Sequence, residues 1–459
     1  MLPATLTDTL EPAAPKPLYR KLPRGRRAAD GLSREQVAAD QRRRLLGAMV
    51  EAVAARGYAA TTTRELARLA AVSKQDMYRR FPSKEAYFLE TYDCVVGLAV
   101  ERISAAYRTG PEGERDWADG LCRAFDAFVE ELVARPKGAR LALVEVLAAG
   151  PVALQRIERG EAVFQRMIAQ SLEQAGDGVA LSPILLRGVV HGIWYVARSR
   201  LLEGRSAAMA GSSRDLLDWM LTYRSPGARL LDSGPATGSP TAPASSLRPP
   251  RESPGLIEGD ERTRMLRAAA QIAAAGGYET LTSGQVAELA GVEWEAFSRE
   301  FKSVEECFLA ALELLSVQAL ARTLRDSEDA PDWSSAVCRA IGSLLDQVAR
   351  DPVFARVAFV EVFAAGPAGA QRRAALMRSF AEVLARRAPR SRRPSPLVAE
   401  AIVGAVWGIV HHHVVHGRAR ALPVLAGHAA YIVLAPIIGA QRAIEAILAE
   451  RDGGERKAA

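Results

Sequence analysis

Cysteine is scarce in this sequence, with four residues in a chain of 459, and these four lie far apart. No Cys-x-x-Cys pair occurs, which argues against the common zinc motifs and against a thioredoxin-like redox centre. So few separated cysteines also argue against a disulfide framework and suit the reducing cytosol. The four are Cys94, Cys122, Cys307 and Cys338.

Aromatic residues are also few, at 6% of the chain, and the alternation typical of strands is rare. Aliphatic residues and alanine recur at helical spacing instead, which predicts an all-α fold. Residues 1–27 lack the apolar core of a signal peptide, so we expect a cytoplasmic protein. The most apolar stretch, 397–415, contains Glu400 and three histidines, which favours a buried helix over a membrane span.

Positive charge exceeds negative charge by seven, and the pI of about 9.4 mildly favours an anionic partner. A basic run lies near the N-terminus, where residues 16–27 hold six basic side chains and no acid. Arg24 and Arg26 are candidates for insertion into a DNA minor groove, because a narrow groove attracts arginine. The alternative is a solubilising tail.

Residues 61–89 contain three consecutive signals for the start of a helix. The threonines at 62–63, Ser73 and Ser83 each precede a run with helical periodicity, and each is a good N-cap. The turn between the first two helices, residues 71–72, is too short for antiparallel packing. The helices must therefore cross steeply, which is the geometry of a helix-turn-helix whose second helix enters the DNA major groove.

The second of these helices carries side chains that suit DNA recognition. Gln75 can read an adenine edge and Lys74 a guanine edge, whereas Tyr78 can anchor a phosphate. A helix N-terminus, as at Lys84, also attracts phosphate. The predicted DNA contacts are Arg24, Arg26, Thr62, Ser73, Lys74, Gln75, Tyr78, Arg79 and Lys84. The alternative is an ordinary three-helix core with a solvated basic face.

The same stretch resembles the N-terminal domain of TetR-family repressors. The resemblance rests on a Ser-Lys-x-x-x-Tyr-x-x-Phe run followed by x-Ser-Lys-Glu, which here comprises Ser73, Lys74, Tyr78, Phe81, Ser83, Lys84 and Glu85. Several positions agree at fixed spacing, so the motif is specific. The resemblance implies an all-helical repressor with an N-terminal DNA-binding domain and a C-terminal domain for ligand binding and dimerisation.

The chain then repeats itself. Residues 42–91 align with 262–311 at a shift of 220 without a gap, and 19 of the 50 positions are identical. Later segments correspond at a shift of 216, such as ALVEVLAAGP at 142–151 and AFVEVFAAGP at 358–367. A period this long predicts a duplicated domain, so we expect two tandem TetR-like modules. A disordered basic arm is predicted at 1–32, followed by the first module with its DNA-binding domain at 33–92 and its regulatory domain at 93–226. A linker rich in Pro, Gly and Ser is predicted at 227–257. The second module follows with the equivalent domains at 258–312 and 313–450, and a tail is predicted at 451–459.

The second helix-turn-helix keeps the pattern of the fold and loses the basic chemistry. Residues 41–85 hold ten basic and four acidic side chains, whereas the matching 261–305 hold five and seven. The tyrosine becomes Ser298 and the lysine that matches Lys84 becomes Val304. Acids that face a phosphate backbone repel it, so we expect the DNA contacts to come mainly from the first copy.

A ligand pocket is expected within the first regulatory domain. Candidate lining residues are Trp117, Phe128, Phe164, Met167 and Trp194, although a helical core requires such residues equally. The histidines at 411–413 and 416 include an i, i+4 pair that can hold a metal, but no acid or cysteine lies beside them in sequence. A polar patch is the preferred interpretation, so no metal and no cofactor are predicted.

The sequence therefore predicts a DNA-binding transcriptional regulator, specifically a ligand-responsive repressor that takes a small apolar ligand. The alternative is a small-molecule-binding or scaffold protein with vestigial DNA-binding domains. No Gly-rich phosphate loop and no nucleophile triad occurs, so an enzyme is not expected. The apolar helices predicted at about 183–202 and 396–416 are expected to pair within one chain, while a homodimer stays open.

Overall fold

A computed structural model of the chain describes residues 34–109, 117–175, 179–232 and 259–458. The predicted basic arm with Arg24 and Arg26 lies outside the described residues, as does most of the predicted linker. Every regular element of the described residues is helical, which confirms the all-α prediction.

The first half of the chain, residues 34–232, begins with a three-helix domain and continues into a bundle of longer helices. Its helices are α1 (Arg34–Arg56), α2 (Thr63–Ala70), α3 (Lys74–Arg80), α4 (Lys84–Arg108), α5 (Trp117–Ala134), α6 (Pro136–Leu143), α7 (Pro151–Gln174), α8 (Pro183–Leu202) and α9 (Ser213–Leu221). Short 3₁₀ segments at Glu145–Ala148, Ser206–Met209 and Pro226–Asp232 complete it.

The second half, residues 259–458, follows the same order of helices through its first eight. The first five are α10 (Glu261–Gly276), α11 (Ser283–Ala290), α12 (Trp294–Glu300), α13 (Val304–Arg325) and α14 (Trp333–Arg350). The sixth place is filled by α15 (Pro352–Arg356), a π turn (Val357–Glu361) and α16 (Val362–Ala364) together, and α17 (Gly366–Arg387) and α18 (Pro396–Val415) complete the eight. Two further helices follow, α19 (Ala426–Ile438) and α20 (Ala440–Ala458). Short 3₁₀ segments lie at Tyr278–Thr280, Arg390–Arg392 and Ala419–Leu425.

Two predicted boundaries need correction. Residues 227–232 of the predicted linker belong to the 3₁₀ helix Pro226–Asp232, because Ala228 and Leu231 find a buried place beside α20. The predicted tail is also helical, since α20 continues through Ala458.

The helix-turn-helix of the first half is capped as the sequence predicts. Thr62, Ser73 and Ser83 each accept a hydrogen bond from a backbone N–H three residues later, which satisfies a donor that the helix start leaves free. Ala71 closes α2 with φ of 52°, a left-handed conformation, where the second half has Gly291 with φ of 63°. Only glycine adopts this region without steric cost, so the first half tolerates some strain at this turn.

The two halves pack together through α8 and α18. A Cβ added to Gly404 would lie 2.4 Å from Cβ of Tyr195, and one added to Gly408 would lie 2.3 Å from Cβ of His191. The backbone of α18 therefore approaches α8 more closely than any larger residue would allow. Beside this contact, Arg200 makes a two-pronged ion pair with Glu400 at 2.9 and 3.1 Å.

Three helical segments are long and apolar enough to cross a membrane by length and composition alone, and they span Val304–Arg325, Pro396–Val415 and Ala419–Ile438. In the structure, 72% of the most apolar 18 residues of the second segment are buried inside the protein, and 61% of those of the third. Packing against α8 accounts for the apolar character of α18. The most apolar 18 residues of α13 are 39% buried, and this helix lines a cavity described below.

Candidate functional site

The exposed face of α3 presents the predicted recognition residues together. Lys74, Gln75 and Arg79 are exposed, and Tyr78 is 45% exposed, although it is a large apolar side chain. Met77, on the opposite side of the helix, is fully buried. The helix therefore separates a core side from a polar side as its spacing predicts.

Tyr78 is fixed in position by the neighbouring helix. Its hydroxyl makes a hydrogen bond of 3.1 Å with Oγ1 of Thr63, in the first turn of α2. This places the ring at the N-terminal end of α2, where Thr62 is also exposed and where unpaired N–H groups favour a phosphate. Arg79 pairs with Asp76 at 3.1 Å in an exposed contact that a phosphate can replace.

Lys84 is held more tightly than the sequence suggests. Its ammonium donates to the carbonyl oxygens of Tyr58 and Ala59 at 3.1 and 3.3 Å and lies 4.4 Å from the centre of the Tyr58 ring. Burial lowers the pKa of Lys84. Because an ammonium has three donors, one remains for a phosphate. Lys84 therefore also anchors the loop between α1 and α2.

The equivalent surface of the second half has different chemistry. Glu293 and Glu295 are exposed beside Trp294, which is 53% exposed. Ser298 stands where Tyr78 lies in the first half and bonds back to the carbonyl of Trp294. This surface offers acids and an aromatic ring where the first half offers cations.

In each half, one glutamate joins the bundle of longer helices to the three-helix domain. Oε2 of Glu145 accepts a hydrogen bond from the backbone N–H of Tyr58 at 3.0 Å, and Arg140 pairs with Oε1 of the same residue at 3.1 Å. Glu361 repeats the contact with the N–H of Tyr278 at 2.8 Å. Each glutamate is buried, so it joins the end of the first helix of its half to the bundle.

The predicted ligand residues of the first half surround a small cavity of about 40 Å³. Phe128, Phe164, Met167 and Trp194 line it. Trp117 does not, because its ring packs under the guanidinium of Arg224 at 5.3 Å. The space is far below the ~300–1,000 Å³ of common ligand sites, so these aromatic side chains mostly fill their own core.

A cavity of about 280 Å³ lies at the equivalent place in the second half, where the sequence did not predict one. Aligned at the shift of 216, Phe125 and Phe128 of the first half correspond to Ile341 and Leu344, which line the larger cavity. Smaller side chains at the same backbone positions leave the space open. Loss of two aromatic residues between the aligned copies is the signal that would have indicated it.

The histidine cluster of α18 gains an acid that is distant in sequence. Glu158 on α7 lies 2.8 Å from Nε2 of His416 and 3.6 Å from Nδ1 of His412, so the three form a group with metal-ligand chemistry. Arg418 already occupies Nε2 of His412 at 2.8 Å, and Nδ1 of His416 meets the carbonyl of His412. These hydrogen bonds fit a polar seam between the halves.

Comparison with known proteins places a family domain on the first helix-turn-helix. Residues 45–91 match the family described as bacterial regulatory proteins, tetR family. This stretch is thus similar to the N-terminal domain of the tetR family, as the resemblance seen in its sequence predicts. No curated protein sequence matches the chain.

Part of the chain is similar to solved structures of regulators. The fatty acid degradation regulators FadR from Bacillus subtilis, in complex with stearoyl-CoA, and from Bacillus halodurans are 14% and 15% identical, with TM-scores of 0.34 and 0.35. Each match covers 39% of this chain and 96% of the other. A TetR-like transcriptional regulator from Rhodococcus sp. RHA1 is 21% identical, with a TM-score of 0.34, over 41% of this chain and 98% of the other.

Proposed function

We propose that this protein is a sequence-specific, ligand-responsive DNA-binding transcriptional regulator, that it acts as a repressor in the cytoplasm, and that it is not an enzyme. The observation that carries the proposal is the exposed face of α3. Lys74, Gln75, Tyr78 and Arg79 share one solvent-facing surface, and Tyr78 is braced by Thr63. Such a face can place Gln75 against a base edge while Tyr78 and Arg79 hold phosphates.

The chain is proposed to be two copies of one module, of which only the first reads DNA. If α12 entered a groove as α3 is proposed to do, the exposed acids Glu293 and Glu295 would face phosphates. The like charges would repel each other. One chain therefore supplies one helix-turn-helix that recognises DNA, the one in the first half. Two chains can still gather on a palindromic operator, each contributing its first half.

The two halves are proposed to pair within one chain through α8 and α18, as the two subunits of a dimer would. The close approach at Gly404 and Gly408 and the ion pair between Arg200 and Glu400 support this arrangement. Regulation then follows from a ligand that binds one arrangement of the helices more tightly than another. Binding shifts the population towards that arrangement and so changes the position of the DNA-recognising helix-turn-helix.

A scaffold or small-molecule-binding role is the alternative. It is favoured by the second helix-turn-helix, where the exposed Trp294 replaces a cation with an apolar surface. The braced basic face of the first half does not fit this alternative, because a vestigial head has no need to hold Tyr78 in place.

Genome-wide capture of bound DNA, followed by fluorescence anisotropy at fixed salt on the captured site, tests the proposal. The double variant Lys74→Ala/Tyr78→Ala should lose most of its specific affinity. Trp294→Ala/Ser298→Ala changes the aligned positions of the second half and should bind as the wild type does. Unaltered affinity of the first variant would remove α3 from the DNA interface, and capture of no discrete sites would favour the scaffold role.

A further inference from the structure

The larger cavity contains a buried guanidinium without a partner. Arg373 on α17 lines this cavity of the second half and is only 4% exposed. Its Nε and Nη2 are buried and donate to no hydrogen-bond acceptor, and no ion pair of the described residues includes Arg373. These two nitrogens form the edge of a guanidinium that can meet both oxygens of a carboxylate, and the side chain must turn to present this closed edge to the cavity.

The cost of this arrangement is high, so it calls for an explanation. A buried charge usually has an opposite charge beside it, because loss of hydration is expensive. The ring of Trp407, 3.8 Å from Cζ of Arg373, offsets part of that cost by a cation–π contact. Burial lowers the pKa of Arg373 to about 9, and at neutral pH the side chain still carries its charge.

The fold itself does not require this arginine. At the shift of 216, Arg373 corresponds to Ile157 of the first half, a buried apolar residue on the equivalent helix. The neighbouring Gln-Arg pairs at 155–156 and 371–372 match, which fixes the alignment. One half therefore packs the same position with an aliphatic side chain and a filled core. The other half combines a charge with an open cavity.

The remaining walls show what else the cavity can contact. Among the described residues that line it, none is acidic, and most are aliphatic or aromatic. The hydroxyls of Ser316 and Thr323 add polar atoms, and the exposed Arg387 contributes a second cation. The volume of about 280 Å³ is close to the lower end of the ~300–1,000 Å³ of common ligand sites.

We propose that this cavity binds an apolar carboxylic acid, whose carboxylate pairs with Arg373 and whose hydrocarbon part fills the space beside Ile341 and Leu344. A carboxylate supplies two acceptors to the edge of the guanidinium that lacks them, and it neutralises the buried charge. The apolar part gains from leaving water, which an inorganic anion would not. The second half is thus the ligand-binding half, while the first reads DNA.

The site is also connected to the DNA-binding domain. Arg373 lies on the same helix as Pro367, whose ring comes within 3.2 Å of the position that a Cβ on Gly57 would take. Gly57 precedes Tyr58, the loop residue that Lys84 and Glu145 hold. A ligand that moves α17 therefore acts on this loop. This last step rests on the proposed function, whereas binding of the acid does not.

Binding is tested with the full chain and no DNA, by isothermal titration with decanoate, 2-naphthoate, decanol and decylamine. The acids should bind about 10- to 100-fold more tightly than decanol, the range expected for hydrogen bonds to a charged group, and decylamine should not bind. Arg373→Ile, which installs the residue of the first half, should remove the preference for acids while decanol still binds. Arg373→Lys should keep part of it.

Two further variants separate the charge from the space. Ile341→Phe/Leu344→Phe installs the aromatic residues of the first half and should block both decanoate and decanol. Leu121→Ala in the first half should leave the binding of decanoate unchanged. Equal affinity of wild type and Arg373→Ile for decanoate, equal affinity of decanoate and decanol, or binding of neither acid would each overturn the proposal. Circular dichroism melting shows that each variant is folded.

The effect on DNA is measured separately. If decanoate binds through Arg373 but leaves DNA affinity unchanged, the carboxylate site stands and its regulatory role fails. If the chain binds no specific DNA at all, the proposed function fails while the binding result is unaffected.

Discussion

The backbone N–H of Tyr58 donates to Oε2 of Glu145 at 3.0 Å, across 87 residues of sequence. Tyr58 belongs to the loop that follows α1, and its carbonyl accepts from the ammonium of Lys84 at 3.1 Å. The backbone of Tyr58 thus forms hydrogen bonds with Glu145 of the bundle on one side and with Lys84, a predicted DNA contact, on the other. We expect a displacement of the bundle to reach Lys84 through this loop, because the two contacts hold the same segment of backbone.

Replacement of Glu145 tests this link. Glu145→Ala leaves the buried N–H of Tyr58 without an acceptor, so we expect a loss of about 1–3 kcal/mol in the free energy of unfolding and weaker DNA binding. Glu361→Ala removes the equivalent contact of the second half and is the matched control. It should destabilise the chain by a similar amount and leave DNA affinity unchanged. Urea denaturation and anisotropy measure the two quantities, and equal weakening of DNA binding by both variants would contradict the proposed role.

Lys84 is expected to contribute a phosphate contact as well as a loop anchor. Lys84→Ala should weaken DNA binding about equally for all sequences and reduce the slope of log affinity against log salt by about 0.9. Gln75→Ala should instead relax the preference at one base position without changing this slope. Titrations at several salt concentrations, on the captured operator and on a scrambled duplex, distinguish the two. A salt slope unchanged in Lys84→Ala would limit Lys84 to the loop.

The N-terminal basic run is expected to add salt-sensitive affinity. Residues 16–27 hold six basic side chains, and each neutralised phosphate contributes about 0.9 to the salt slope on duplex DNA. Removal of residues 1–27 should therefore lower affinity most at low salt. A variant with Arg24→Ala/Arg26→Ala alone isolates the predicted minor-groove pair. Equal salt slopes for the full and shortened chains would show that the run takes no part in binding.

Pairing of the halves within one chain predicts a stable single-chain species. Size-exclusion chromatography with light scattering should give a mass near 49.4 kDa on dilution, and a persistent species of twice that mass would argue for a homodimer. Gly408→Ala adds a Cβ 2.3 Å from Cβ of His191, so we expect a loss of about 1–3 kcal/mol in stability.

Gly97→Ala is the control for the pairing contact. Gly97 is also helical, on α4, and a Cβ there meets no atom within 4 Å. This variant should gain about 0.5–1 kcal/mol, because alanine favours a helix over glycine. If Gly408→Ala is as stable as Gly97→Ala, α8 and α18 do not pack closely in solution.

The helix-turn-helix could be predicted from the sequence because its determinants are local. Thr62, Ser73 and Ser83 cap their helices through N–H groups only three residues away, and Met77 is buried by the periodicity of a single helix. The identity of the exposed residues on α3 follows from the same spacing. Capping and periodicity act within one or two turns, so no knowledge of the rest of the chain is needed.

Only the tertiary structure decided where the chain has room for a ligand and which distant groups meet. Phe128 and Trp194 were expected in a pocket, but they largely fill it, and the open cavity lies in the other half beside Arg373. The acid of the histidine cluster, Glu158, comes from a helix more than 250 residues away in sequence. Cavity volume is the small difference between the space that several helices enclose and the side chains that occupy it, and it depends on packing that no local pattern encodes.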